Sequence, residues 1–373
     1  MRLRLLCLLA VVLSGLPLLC PAQARYAVTP VAGAGSAASD INRSGQMVVN
    51  MTVGGDNRAY LFSGGTLTGI GALPGTYSVA SRLNDLGQVV GMGYATTGMP
   101  SAWIYSGGSL VPVAGSGIVS ASGINHAGAV TGTAWVPGET DYEMHAYTSA
   151  GGVFTDLGSM GRFRSTGADI NDAGHVAGAL APPDGGPPNT PLNPMLYRDG
   201  AMADLGDGGH GGPWSYATAI NSYDQVVGAL GLPAYMGELY PTQAFLWQDG
   251  AFQLLGSFGP GLSSGATDIN DLGWVVGAGY FGYGAGNHAF LFHDGAFMDL
   301  NTLIDPASGW LITDAAGIND AGQIAGTACR GGSCYAVRLD LLPAVPEPAS
   351  AALLLGGLGA LALLRRPVRR RRG

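Results

Sequence analysis

The side chains of this sequence that could do chemistry are few, and most of them recur. Six histidines are present. His145 and His288 stand at the same place in a repeated segment, which suits a structural post in a strand better than proton transfer. His210 lies alone in Gly208-Gly209-His210-Gly211-Gly212, without the partners a metal ion needs. Ser36, Ser78, Ser165, Ser215, Ser264 and Thr313 each precede an apolar residue by five positions, so they read as strand-entry hydrogen-bond formers and not as nucleophiles. There is no Gly-x-Ser-x-Gly elbow, His-Glu-x-x-His helix or Walker loop. Asp268-Ile269-Asn270-Asp271 offers oxygens to calcium but lacks the alternating acids and Gly of a calcium loop. The expectation is a protein without catalytic residues, metal or cofactor. Of the four cysteines, Cys7 and Cys20 fall in an N-terminal leader, while Cys329 and Cys334 flank Arg330-Gly331-Gly332-Ser333 and read as a disulfide of an oxidising compartment.

The elements that carry these residues are announced by a repeat. An apolar-Asn pair followed by Gly occurs at Asn42, Asn84, Asn125, Asn171, Asn221, Asn270 and Asn319. Five copies read apolar-Asn-x-x-Gly-x-apolar-x-Gly; the first ends in Asn50 instead of Gly, and the fifth has Asp224 for the first Gly. A second half follows in each copy, as in His288-Ala289-Phe290-Leu291-Phe292, then a tight Asp294-Gly295 turn and another apolar run. Asp-Gly and Gly-Gly between apolar runs are hairpin signals, because both central positions favour positive φ. In the sixth copy the strands are expected over 266–269, 274–280, 288–293 and 296–300. Four antiparallel strands, seven times over, predict an all-β seven-bladed propeller over 25–342, with a linear solenoid as the alternative. The last copy lacks a fourth strand, and 26–31 is placed to supply it, closing the ring without an open edge.

Both ends read as addresses. Arg2 and Arg4, an apolar run to Leu19 and Ala22-Gln23-Ala24 make 1–24 a signal peptide. Pro346, Glu347 and Pro348 precede apolar residues 349–364 and the arginines Arg365, Arg366, Arg369, Arg370, Arg371 and Arg372. A helix there spans about 24 Å, a thin single transmembrane crossing with the arginines as its cytoplasmic stop. Residues 25–344 hold nine Arg, no Lys and 24 Asp or Glu, an acidic balance unsuited to nucleic acid. With 63 Gly and 22 Pro, the whole chain is turn-rich and not mainly helical.

The tail over 343–373 resembles the PEP-CTERM sorting signal of Gram-negative bacteria. That resemblance implies recognition at Pro346, Glu347 and Pro348 by an exosortase, membrane anchorage through the C-terminal helix before processing, and association with exopolysaccharide at the cell surface or in the extracellular matrix. The repeats resemble the HAF family of probable extracellular repeats through His288-Ala289-Phe290 and the near match His145-Ala146-Tyr147. That family implies an exported array and leaves activity open.

Copies differ most between the second and third strands. The longer connections there, all on one face of a propeller, hold Trp135, Tyr142, Tyr235, Tyr240, Tyr280, Phe281 and Tyr283. Exposed aromatics beside acids suit stacking on sugar rings or gripping a protein, against local packing as the plainer alternative. The expected function is a non-enzymatic binding or scaffold module for exopolysaccharide or surface proteins. The alternative is a polysaccharide lyase or hydrolase using Glu139, Asp141, Glu143 or Glu238, which would need two acids converging in a deep pocket.

Overall fold

The computed structural model describes residues 26–343, apart from 73–76, 95–97, 138–141, 182–191, 211, 234–240, 283 and 285. Its compact unit is Tyr26–Asp340. The signal peptide, the Pro346-Glu347-Pro348 motif, the expected C-terminal helix and its arginines lie outside the described residues. Among those described, no helix is long and apolar enough to cross a membrane.

Seven four-stranded sheets form, each with its strands in sequence order except the last. Blade six shows the pattern: Ser264–Ile269, Val275–Gly282, Gly286–His293 and Ala296–Asp299, every neighbouring pair antiparallel. These bounds extend the expected first three strands by up to two residues at their loop ends. Blades one to six occupy residues 36–71, 78–112, 118–158, 165–204, 216–256 and 264–299. Blade seven consists of Leu311–Ile318, Ile324–Arg330 and Ser333–Leu341, with Tyr26–Pro30 as its fourth strand. Backbone bonds from Val31 to Ala336 and from Gly35 to Cys334 hold that N-terminal strand in place. Cys329 and Cys334 are paired across the same blade by a disulfide.

Apolar burial sits between blades, not at one centre. Ala219, Val227 and Ala244 of blade five pack with Ala266, Ile269 and Phe290 of blade six, and comparable clusters fill the other junctions described. Second strands are therefore buried on both faces, which is why Val-Val pairs such as Val89-Val90 and Val275-Val276 sit there. The Gly after each pair has a steric reason. A Cβ on Gly277 would lie 2.1 Å from the Gly265 carbonyl oxygen and 2.8 Å from the Phe290 ring.

The first copy needs a correction here. Strand register aligns Val49, not Asn50, with that closing Gly: Val49 pairs with Ala38 as Gly91 pairs with Ala80. Asn50 stands one residue on, and its amide both donates to the Ala80 carbonyl and accepts the Ala80 N–H, joining blades one and two.

Candidate functional site

Each first strand ends in the repeated Asn, and the seven form a closed circle of hydrogen bonds. The amide of Asn42 donates to the backbone carbonyl of Asn84, Asn84 to Asn125, Asn125 to Asn171, Asn171 to Asn221, Asn221 to Asn270, Asn270 to Asn319, and Asn319 back to Asn42. The Asn oxygen meanwhile accepts the N–H four residues on in every copy, as from Trp274 to Asn270. Every Asn is buried. The residue is thus a turn former, as its sequence context implied, and also the link from blade to blade. Repetition in sequence shows only the first role; the second depends on closure.

The ring surrounds a funnel of about 200 Å³. Every first strand carries a bulge three residues before the Asn, and the residue that follows it is Asp40, Arg82, Gly123, Asp169, Ala219, Asp268 or Gly317. Of these, Asp40, Arg82, Asp169 and Asp268 line the funnel. Arg82 reaches across the axis: its guanidinium lies 3.2 Å from Asp268 and 3.6 Å from Asp40, and donates to the carbonyls of Thr218 and Thr267. Each acid also ties its blade to the next, Asp40 accepting from Leu83 N–H, Asp169 from Ile220 N–H and Asp268 from Ile318 N–H. Small residues in the preceding blade make room, since a Cβ on Gly317 would sit 2.8 Å from an Asp40 oxygen. Burial pushes the Asp40 carboxyl up to about 7 and Asp169 up to about 6, against the pull of Arg82. Asp268 is raised for the same reason. The funnel floor is therefore an inward-facing charge cluster that holds blades together, with Arg82 across the axis.

Other repeated polar residues are likewise structural. Ser78, Ser165 and Ser264 each donate to a Gly carbonyl at a bulge of the preceding blade and accept an Ala N–H left unpaired there. Ser36 accepts from Ala336 N–H across the ring closure, whereas Ser215 bonds within its own blade to Gly231 and Thr313 to Thr327. His145 pairs with Asp156 at 2.9 Å and His288 with Asp299 at 2.8 Å, each joining a third strand to a fourth. Asp224 is not mere degeneracy. Where other copies place Gln on one blade against Gly on the next, blade four offers His175 and blade five answers with Asp224, 2.7 Å away. Burial would raise that carboxyl, but bonds from His175 and Asn171 outweigh it and hold it low.

The opposite face receives the second-to-third strand loops and the blade-to-blade connections. Among the described residues, seven of eight exposed aromatics lie there: Tyr94, Trp135, Phe163, Trp214, Tyr216, Tyr280 and Phe281; Tyr223 is on the Asn face. Of the residues singled out from the sequence, Trp135, Tyr280 and Phe281 are exposed on this face. Tyr142 begins the strand Tyr142–Ala150, its side chain outside the description, and Tyr235, Tyr240 and Tyr283 lie outside the described residues. Sequence reading missed Tyr94, which meets Tyr77 edge-on; Phe281, which it did single out, is stacked on His288 at 3.8 Å. The signal for Tyr94 was its position at a strand end, not loop length. Between two connections on this face, Leu232, Pro241, Leu254, Leu262, Gln243 and His210 line a cavity of about 620 Å³. Glu143 contacts His145 at 3.3 Å, while Glu139, Asp141 and Glu238 lie outside the described residues. Among the described residues no three His, Cys, Asp or Glu are grouped to hold a metal ion. Asp268 and Asp271, which might have shared calcium, face different partners: Arg82 in the throat and Ser222 at the mouth.

Residues 344–371 match the PEP-CTERM protein-sorting motif. No curated protein matches the chain. Solved structures do. The β-propeller domain of the Trilobed protease from Pyrococcus furiosus is 10% identical with a TM-score of 0.52, over 84% of this chain and 99% of that one. The acylaminoacyl peptidase of Pyrococcus horikoshii is 11% identical at 0.53, over 87% of this chain and 54% of that one. An oligogalacturonate lyase from Vibrio parahaemolyticus is 9% identical at 0.50, over 86% and 94%. At such identities the likeness shows the fold alone. The chain is a seven-bladed β-propeller carrying a PEP-CTERM motif, the mark of an exported protein processed by an exosortase-type enzyme.

Proposed function

We propose that this protein is a non-enzymatic binding or scaffold module of the cell surface or extracellular matrix, contacting exopolysaccharide or a surface protein through its loop face. The observation that carries the reading is the one-sided distribution of exposed aromatics. Rings of this kind offer large contact area at low entropic cost, and their clustering on one face marks it for a partner. The other face is occupied by the Asn circle that closes the fold. The HAF-like repeat and anchorage by a C-terminal helix before processing belong to the same proposal.

The polysaccharide-active alternative requires a carboxylate pair open to substrate. Asp40 and Asp268 do converge, on Arg82, but both are buried and tied to backbone N–H groups of neighbouring blades. That arrangement favours binding over hydrolysis. The test is a glycan array and surface-protein overlay with wild type and with Trp135→Ala/Tyr280→Ala. Retained ligands that the double variant loses support the proposal. Absence of any ligand for wild type, or cleavage of a retained polysaccharide, contradicts it.

A further inference from the structure

The throat of the ring contains more acid than base. Asp40, Asp169 and Asp268 enter it from blades one, four and six, and at their level Arg82 from blade two is the one cation among the described residues. At the equivalent position blades three, five and seven have Gly123, Ala219 and Gly317, which carry no charge. Above them the funnel mouth presents Arg43, Asp85, His126, Asp172, Asp271 and Asp320, and Arg43 is already engaged with Asp320 at 3.3 Å.

We propose that the Asp40–Asp169–Asp268 cluster around Arg82 is a proton-binding site that tightens the ring in acidic to neutral surroundings and loosens it in alkaline ones. One guanidinium balances one carboxylate. If all three were ionised, two uncompensated negative charges would remain in a space where water screens them poorly. Asp40 and Asp268 both face the same Arg82 nitrogen, so neither can turn away from the other without giving up that contact. Their oxygens are also fixed by backbone donors, Ile41 and Leu83 on Asp40 and Ile318 on Asp268, which keeps the acids in place in either state. Alkaline conditions remove a proton from a carboxyl to solvent, leaving a carboxylate, and the added repulsion bears on the junctions these acids bridge: blades one to two, four to five and six to seven.

The direction follows from the environment. Asp40 and Asp169 are raised to about 7 and about 6, well above an exposed Asp, so the folded ring holds protons that the unfolded chain releases. Their stabilising contribution is complete below the unfolded value near 4 and is lost as pH rises through 6 and 7. An exported protein meets whatever pH the medium has, so this cluster sets the range over which the propeller stays rigid.

The test is the thermal unfolding midpoint of the full chain between pH 5.5 and 8.5, for wild type, Asp40→Asn, Asp169→Asn and His126→Ala. The expected result is a wild-type midpoint that falls by several degrees across this range. His126→Ala, which removes the one imidazole among the described residues lining the funnel, keeps that slope; either Asn variant flattens it. Infrared spectroscopy at pH 6 is expected to show a protonated carboxyl band that Asp40→Asn or Asp169→Asn diminishes. Should one Asn variant fail to fold, the other variant and the wild-type band decide. A midpoint that is level or rises toward alkaline pH, a slope abolished by His126→Ala, or no protonated carboxyl at pH 6 overturns the proposal.

Discussion

Removing one link of the Asn circle measures what closure contributes. In Asn270→Ala three hydrogen bonds vanish: the amide to the Asn319 carbonyl at 3.0 Å, and those accepted from Leu272 at 3.1 Å and Trp274 at 2.9 Å. Each is worth about 1 kcal/mol net, and more where a buried partner is stranded, so the loss is about 3 kcal/mol. Water in the adjacent funnel reaches some of the stranded groups and keeps the cost from rising far beyond that. In a chain of this size each kcal/mol moves the midpoint by roughly 2 °C or slightly more, giving a fall of roughly 6 °C. Asn270→Asp separates the two roles. It keeps the acceptor for Leu272 and Trp274 but turns an oxygen toward the Asn319 carbonyl, so part of the loss should persist. Asn287→Ala is the control, because that residue is exposed on the third strand of the same blade. Equilibrium urea unfolding with a matched thermal series is the assay. If Asn270→Ala lies within about 0.5 kcal/mol of wild type, the normal range for an indifferent surface change, the circle is an incidental geometry and the reasoning fails.

Three further outcomes follow from the same structure. Gly277→Ala should fold poorly or lose several kcal/mol, since its Cβ meets the Gly265 carbonyl at 2.1 Å, and soluble yield with circular dichroism reports it. Deleting the strand Tyr26–Pro30 strips blade seven of its outer strand and bares the edge of Ser333–Leu341, so light scattering should find more self-association than in the intact chain. Asp224→Asn should be less stable than wild type at pH 7. Because the Asp224 carboxyl is held below its ordinary value, its contribution is present above about pH 4 and lost on further acidification, so the two unfolding curves should converge there.

Much of this architecture was legible because the repeat carries it. The seven Asn, the Asp-Gly and Gly-Gly turns and the missing last strand together gave blade number, strand order and the closing role of Tyr26–Pro30. What escaped depends on contacts between copies, which no single copy encodes. Asp224 looked degenerate because its partner His175 lies in the preceding repeat, 49 residues away. Asp40, Arg82, Asp169 and Asp268 occupy one position in different copies, but their differing types concealed a shared throat until the bulges aimed them at one axis. On the loop face Trp135, Tyr280 and Phe281 were found from loop length, while Tyr94 was not, because strand ends reach that rim as readily as loops do.

The direct measurement of the central claim compares the two faces of the ring. Cell-surface material from the producing organism is immobilised, and binding is titrated for wild type, for Trp135→Ala/Tyr280→Ala/Phe281→Ala on the loop face, and for Leu86→Ala/Tyr223→Ala/Leu272→Ala on the Asn face. All six side chains are exposed, so each triple removes apolar surface without opening the core. The account predicts at least tenfold weaker binding for the loop-face triple, about 1.4 kcal/mol, and near wild-type binding for the other. Equal losses from both triples, or a loss confined to Leu86, Tyr223 and Leu272, would contradict it.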